Sequence, residues 1–371
     1  MSGWPGRLAI IGTGLLGTSV GLAARKAGVP EIVGVDSDRR ELRLALERAA
    51  LTAGAATVEE AADGADLVVA ATPVRSLAGV LSRAQLANPD AVLSDVGSTK
   101  AHLLVELGRS STDLARVIPG HPMAGSEERG ARAARAELFA GAAWVLTPPA
   151  QVDHGALRRM TGFVRALGAR PLILDPDLHD QVAALASHLP QLTATALMGA
   201  VAEVQAPAAL QSLVAGGFRD TTRVAASDPD LWVDICTTNG PRIVAALDLL
   251  TERLQTLRTL VETGDRAGLR EMLATARSAR LRLPTKPGTS PRALRELAVH
   301  VPDRPGSLAE VFRVLGAAGV NVEDTAIDHE PQGGSGALHV WVGRQALPTA
   351  LAALIAAGWE AHETTGSMGP T

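Results

Sequence analysis

Two short stretches of this chain carry residues that could do chemistry together. Gly12-x-Gly14-x-x-Gly17 lies near the start. About a hundred residues later comes Gly120-His121-Pro122-Met123-Ala124-Gly125-Ser126-Glu127. The first is a dinucleotide fingerprint, and the second holds a histidine between two glycines and a proline. A neutral imidazole, with an ordinary pKa of about 6.5, takes an alcohol proton readily at neutral pH. A hydride acceptor beside such a base is the minimum equipment for oxidising an alcohol carbon. Tyrosine is absent, so no phenol can serve, and Lys26, Lys100 and Lys286 are the only lysines.

The glycine motif gains weight from its setting: it follows the apolar run Arg7 to Ile11, opens an Ala-rich helix, and precedes an acid by about twenty residues. Gly12 suits the tight turn, Gly14 the close approach of a pyrophosphate, and Gly17 the packing of helix on strand. The pyrophosphate would sit on the helix N-terminus, whose free N–H groups and dipole favour anions. Asp36 ends the second strand and is expected to accept hydrogen bonds from the adenosine ribose. Its charge opposes a 2′-phosphate, which favours NAD over NADP, although Arg39 and Arg40 soften the preference. Leu15, Leu16, Thr72 and Pro73 complete the expected cofactor-binding set. No metal site is expected.

The elements that must position these residues alternate. Apolar runs at Arg7–Ile11, Glu31–Val35, Asp66–Ala71, Val92–Val96, Arg116–Pro119, Ala143–Thr147 and Pro171–Leu174 read as strands separated by helical patterns. That order predicts an α/β Rossmann-like, doubly wound parallel sheet over residues 1–175. Residues 176–283 are helical in pattern and are expected to supply a substrate wall and a dimer interface. Three prolines crowd the stretch Leu283 to Pro291, so residues 284–293 read as a linker. Residues 294–371 follow the order βαββαβ, a ferredoxin-like unit.

Composition sets outer limits. At 371 residues, two or three domains are expected. A net charge of -4 gives no electrostatic case for nucleic acid or a membrane surface. No apolar run reaches the roughly 18 to 20 residues of a membrane helix. Cys236 is the only cysteine, so no intrachain disulfide can form. Met1 to Arg7 leaves little room for a signal peptide before the first strand, and a cytoplasmic protein is expected.

Five segments in order, Asp95-Val-Gly-Ser98-Thr-Lys100, Gly120 to Glu127, Ser187-His188-Leu-Pro190, Gly216-Gly-Phe-Arg219-Asp220-Thr-Thr-Arg223 and Asp228-Pro-x-x-Trp232, resemble the prephenate dehydrogenase (TyrA) family over about 280 residues. The resemblance implies NAD-dependent oxidative decarboxylation of prephenate to 4-hydroxyphenylpyruvate in tyrosine biosynthesis. His121 is then the catalytic base, and Ser98 orients it, or caps the helix through Leu107, or both. Arg223 would grip a substrate carboxylate with its guanidinium fork. Arg219 and Asp220 would shape the pocket as an ionic network, with Trp232 and His188 as pocket wall or packing. Lys100, in the first turn of the helix, is expected to be solvated. Many family members carry a second histidine three residues after the first of the Ser-His-x-Pro-His run; here that position is Gln191. A glutamine cannot carry charge, which leaves arogenate, with an amine in place of the keto group, as an alternative substrate.

Glu296 to Leu308, with its Asp303-Arg-Pro-Gly306 turn, and Gly319-Val-Asn321-Val-Glu323 resemble the ACT family of amino-acid-sensing domains. The resemblance implies an effector held near Asp303, Gly306 and Asn321, with tyrosine, the pathway product, as a feedback inhibitor. A homodimer is expected from the helical block and from ACT pairing. Two other dehydrogenase layouts fit less well. In phosphoglycerate dehydrogenases the nucleotide domain is inserted in a substrate domain, and homoserine dehydrogenase relies on lysine. A non-catalytic NAD and amino-acid sensor is the rival from another class.

Overall fold

The computed structural model describes residues 4–125, 128–203, 215–282, 294–329 and 335–364. Ser126, Glu127 and the linker 284–293 lie outside them. Two compact units divide the chain at Glu252 and Arg253.

In the first unit, β1 (Arg7–Ile11), β2 (Glu31–Val35), β3 (Ala53–Gly54), β4 (Leu67–Ala70) and β5 (Val92–Asp95) form a parallel sheet ordered β3-β2-β1-β4-β5. Its strands are apolar on both faces because helices cover both. Leu8, Ile10, Leu67 and Val69 join one core with Val20 of α1 (Leu15–Lys26). Ala9, Ile11, Val68 and Ala70 join the other, against Ala61 of α3 (Val58–Ala62), Leu81 of α4 (Leu77–Ala87) and Leu103 of α5 (Ala101–Arg109). Between strand and edge lies α2 (Arg39–Glu47), capped by Asp38. The sheet's reversal point falls between β1 and β4, the place where such folds bind ligands.

The next strands depart from expectation. Arg116–Pro119 contributes one bridge, Val117 to Leu93, rather than a strand. The chain then enters β6 (Gly120–Pro122), which runs antiparallel to β7 (Ala143–Leu146), while β8 (Arg170–Ile173) is parallel to β7; α6 (His154–Ala166) connects the last two. These three strands form their own small sheet.

Asp175 starts the helical part. Its carboxylate accepts from the N–H groups of Asp177 and Leu178, and Pro176 occupies the first helical position, where its missing N–H costs nothing. α7 (Pro176–Ala183) widens into a π turn at Ala184–His188 and continues as α8 (Leu189–Ala202). Then come α9 (Gly216–Thr222), a 3-10 turn at Arg223–Ala226, α10 (Pro229–Thr238) capped by Asp228, and α11 (Gly240–Glu262), within which the unit boundary falls.

The second unit carries α12 (Arg266–Arg280) and then β9 (Leu294–Pro302), α13 (Ser307–Ala317), β10 (Val322–His329), β11 (Ser335–Gly343), α14 (Leu347–Ala356) and β12 (Ala361–Glu363). The antiparallel sheet is ordered β10-β11-β9-β12. Alternate residues Leu297, Val299 and Val301 of β9 and Leu338, Val340 and Val342 of β11 meet Val311, Leu315, Ala350 and Leu354 of the helices. The βαββαβ reading holds. No helix among the described residues is long and apolar enough to cross a membrane.

Candidate active site

The glycine turn is built for close contact. Gly12 sits at φ +92°, and a Cβ there would meet the Ala71 carbonyl oxygen at 2.6 Å; one on Gly17 would lie 1.9 Å from the Gly12 oxygen. A Cβ on Gly14 would face open space, where the backbone is free to meet a ligand. No side chain caps α1. The Thr72 hydroxyl is buried without a partner among the described residues. An open face at Gly14, uncapped N–H groups and an orphan hydroxyl fit the pyrophosphate of a dinucleotide. Asp36 braces the turn, its Oδ2 accepting from Thr13 N at 2.6 Å and its Oδ1 from Asp38 N at 2.8 Å. It remains half-buried at the end of β2, where the sequence places the ribose contact.

At the carboxyl end of β5, Asp95 organises the chemical centre. Its Oδ2 accepts from Gly97 N and from the Lys100 ammonium, and its Oδ1 from Gly120 N at 3.1 Å. Lys100 Nζ also donates to the Gly120 carbonyl at 2.8 Å. Gly120 is thus held on both sides immediately before His121. A side chain there would strike the Asp95 carbonyl oxygen and Trp144 Nε1 at 2.7 Å. Lys100 has no exposed side-chain surface, which corrects the expectation of a solvated lysine: the carboxylate of Asp95 and the Gly120 carbonyl replace its water. Burial lowers its pKa, against the opposing pull of Asp95 and Asp180.

His121 is half-buried on β6. Its Nδ1 lies 2.9 Å from Nε2 of His179, the rings nearly perpendicular, and His179 Nδ1 lies 2.8 Å from Oδ1 of Asp180. The two Asp180 oxygens also accept from Lys100 N and Ala101 N at 2.8 and 2.9 Å. Asp180, rather than Ser98, therefore caps α5, and Ser98 stands half-buried in the turn before it. Burial works to raise the Asp180 pKa, but the hydrogen bonds from His179 and the two N–H groups hold it below the usual carboxylate range. Burial, reinforced by the positive side of Lys100 and by His179 and His188, pushes His121 well below 6.5. This environment favours the neutral form of the His121 imidazole.

His188 closes the π turn, buried, with its ring edge-on to half-buried Trp232 at 5.8 Å. Asn239 Nδ2 donates to His188 Nδ1 and to the Asp180 carbonyl, tying α10 to α7. Burial lowers the His188 pKa to about 4, with Asp180 opposing and His179 adding to the shift. Gln191 is buried on α8 and accepts from Ser227 Oγ at 3.4 Å. The turn bearing Arg223 packs on α8, with Arg223 exposed, and Arg219 and Asp220 are exposed on α9. The substrate-side candidates thus cluster around α8, and the base around β6 and α7.

His179, Asp180, Asn239 and the Asp95–Lys100 pair were not singled out as site residues by sequence reasoning. The Asp175-Pro176 helix start was the available signal for the first two, since it sets both early in α7.

In the second unit, Gly306 sits at φ +94° at the start of α13, Asp303 is exposed, and Asn321 Nδ2 donates to Glu323 Oε1 at 2.6 Å. A groove of about 560 Å³ is lined by His300, Pro302, Arg304, Arg313, Trp359 and Glu360 among others.

A glycine turn after the first strand of a parallel sheet, with His121 following a glycine tied to Asp95 at the end of β5, fits a nicotinamide-dependent dehydrogenase. Residues 20–173 match the model of the prephenate dehydrogenase nucleotide-binding domain, 175–275 the prephenate dehydrogenase dimerization domain, and 295–340 the ACT domain. The chain is 31% identical to a prephenate dehydrogenase of Bacillus subtilis, covering 86% of this chain and 87% of that one. It is 34% identical to a cyclohexadienyl dehydrogenase of Zymomonas mobilis, over 75% of this chain and 96% of the relative. Among solved structures, the prephenate dehydrogenase of A. aeolicus in complex with hydroxyphenyl propionate and NAD+ superimposes with a TM-score of 0.70 at 27% identity, covering 76% of this chain and 99% of that one. A Synechocystis arogenate dehydrogenase gives 0.65 at 27% identity, covering 74% and 98%. The chain belongs to the prephenate dehydrogenase family and carries an ACT domain at its C-terminal end.

Proposed function

We propose that this enzyme oxidatively decarboxylates prephenate to 4-hydroxyphenylpyruvate, with His121 as base. The observation that carries the reading is a neutral His121 held by the Asp95–Lys100 brace of Gly120. NAD, when bound over the glycine turn, supplies the hydride acceptor. His121 takes the ring hydroxyl proton as the carbonyl forms. The carbon–carboxylate bond then breaks, CO2 leaves, and its electron pair makes the ring aromatic. The proton on His121 returns to the phenolate oxygen. Arg223 holds a substrate carboxylate, Arg219 and Asp220 shape the entrance, and Ser98 helps to orient the hydroxyl and the base.

Gln191 favours a second reading. It is buried, neutral and bonded to Ser227, so it accepts a neutral or an ammonium-bearing side chain as readily as an anionic one. Arogenate is the alternative substrate. We read the enzyme as a cytoplasmic homodimer, with tyrosine as the inhibitory ligand of its ACT domain.

The test is NADH formation by purified protein with prephenate or arogenate. Turnover of prephenate is expected, with Gln191→His raising the prephenate-to-arogenate ratio of kcat/KM. Turnover of arogenate alone reassigns the substrate. Turnover of neither, with NAD still bound, would make the protein a sensor.

A further inference from the structure

The chain His121 Nδ1 to His179 Nε2 to Asp180 joins three side chains at 2.9 and 2.8 Å. We infer that His179 and Asp180 are positioning residues that lock His121 into the tautomer protonated on Nδ1, leaving Nε2 as the basic nitrogen. This rests on His121 being the base of the proposed reaction.

The argument is one of donors and acceptors. An ionised carboxylate only accepts. Asp180 is kept ionised by N–H groups from Lys100 and Ala101, one on each oxygen. Oδ1 must therefore receive the proton on His179 Nδ1. A neutral His179 then presents a lone pair on Nε2, and the short contact to His121 is satisfied only if His121 Nδ1 carries its proton. Both partners are fixed in place. His179 is 3% exposed and Asp180 is fully buried, in a helix turn whose start is set by Asp175 and Pro176. When His121 gains a second proton at Nε2, the Asp180 carboxylate offsets the new charge through the His179 ring. A packing role for His179 would need none of this order of protons.

The variants separate the two. Asp180→Asn removes the negative charge, and its amide nitrogen must face one of the N–H donors of Lys100 and Ala101, so the order of protons along the chain is no longer fixed. We expect kcat to fall on the order of 10²- to 10⁴-fold, as when a triad carboxylate is replaced by its amide. KM for prephenate and NAD affinity should stay within about 3-fold if only the tautomer changes. Asp180→Asn also weakens the cap on α5, so a second pair leaves that cap intact. His179→Leu should lose kcat similarly. His179→Gln, whose amide N–H can face Asp180 and whose oxygen can face His121, should recover to within about 10-fold of wild type. Nitrogen-15 NMR of histidine-labelled protein, with His121 assigned by its absence in His121→Asn, reads the tautomer without turnover.

A proton on Nδ1 in wild type, giving way to a mixture with the Nε2 tautomer in Asp180→Asn, supports the relay. Wild-type His121 protonated on Nε2, or His179→Leu with kcat within a few-fold of wild type, overturns it. Should prephenate not be oxidised while the Nδ1 tautomer is found, the substrate reading fails and the relay stands.

Discussion

The ammonium of Lys100 and the carboxylate of Asp95 pair with no exposed side-chain surface on either, and both also hold Gly120, the residue before His121. Removing one partner of a buried pair leaves the other charge uncompensated, at a cost of about 3–5 kcal/mol. Lys100→Met is therefore expected to lose stability of that order in urea unfolding. The double variant Asp95→Asn/Lys100→Met should recover part of it. A single variant as stable as wild type would show that the pair adds nothing to the fold.

Much of the architecture was legible because its signals are local. The apolar strands of the nucleotide domain, the glycine turn and the alternating β9 and β11 show in the sequence as runs and periods. What stayed hidden depends on contacts far along the chain. His179 meets His121 across 58 residues, and the Asp175-Pro176 helix start beside it announces a helix but not that contact. Lys100 reads as a solvated first-turn lysine until the fold brings Gly120 and Asp95 around it. β6, three residues long and antiparallel to its neighbour, is too short to carry a period, so the expectation of a strand at Arg116–Pro119 fell a few residues early.

Gly14 and Gly17 separate binding from folding. A Cβ on Gly14 meets nothing within 4 Å, so Gly14→Ala should keep the melting temperature and weaken NAD binding, since the methyl occupies the ligand's approach. A Cβ on Gly17 would clash with the Gly12 carbonyl oxygen, so Gly17→Ala should lower the melting temperature as well. Calorimetry of both variants, with and without NAD, gives the two readouts. Equal loss of stability in both would contradict the division.

The imidazoles set two pH dependences. His121 faces Lys100, His179 and His188, with Asp95 and Asp180 behind them, and is pushed well below 6.5. The plateau of kcat/KM should extend below pH 6.5, its acid limb lying lower; a limb at 6.5 would mean an unshifted base. His188, packed against Trp232 and Asn239 and near His179 and Asp180, titrates at about 4 folded and 6.5 unfolded. In that interval the unfolded chain binds the extra proton, so stability is full above pH 6.5 and falls toward pH 4, by on the order of 3 kcal/mol for this group. His188→Gln should show a shallower decline of unfolding free energy between those pH values than wild type.

The regulatory prediction depends on the turn at Gly306. Its φ of +94° lies in the left-handed region that residues with a Cβ seldom adopt, and α13 starts there, three residues after exposed Asp303. If tyrosine binds there, its carboxylate lies at the helix N-terminus and its ammonium near Asp303. Asp303→Ala should raise the tyrosine concentration for half-inhibition at least about tenfold, the loss of one charge-assisted hydrogen bond. Activity without tyrosine should hold, because Asp303 belongs to the second compact unit and the residues assigned to the chemistry to the first. The measurement is an inhibition curve for wild type and variant at fixed prephenate. Unchanged inhibition in Asp303→Ala would move the tyrosine site elsewhere, with the groove between His300, Arg313 and Trp359 the next place to mutate. Absence of inhibition in wild type would leave the ACT domain to a different ligand.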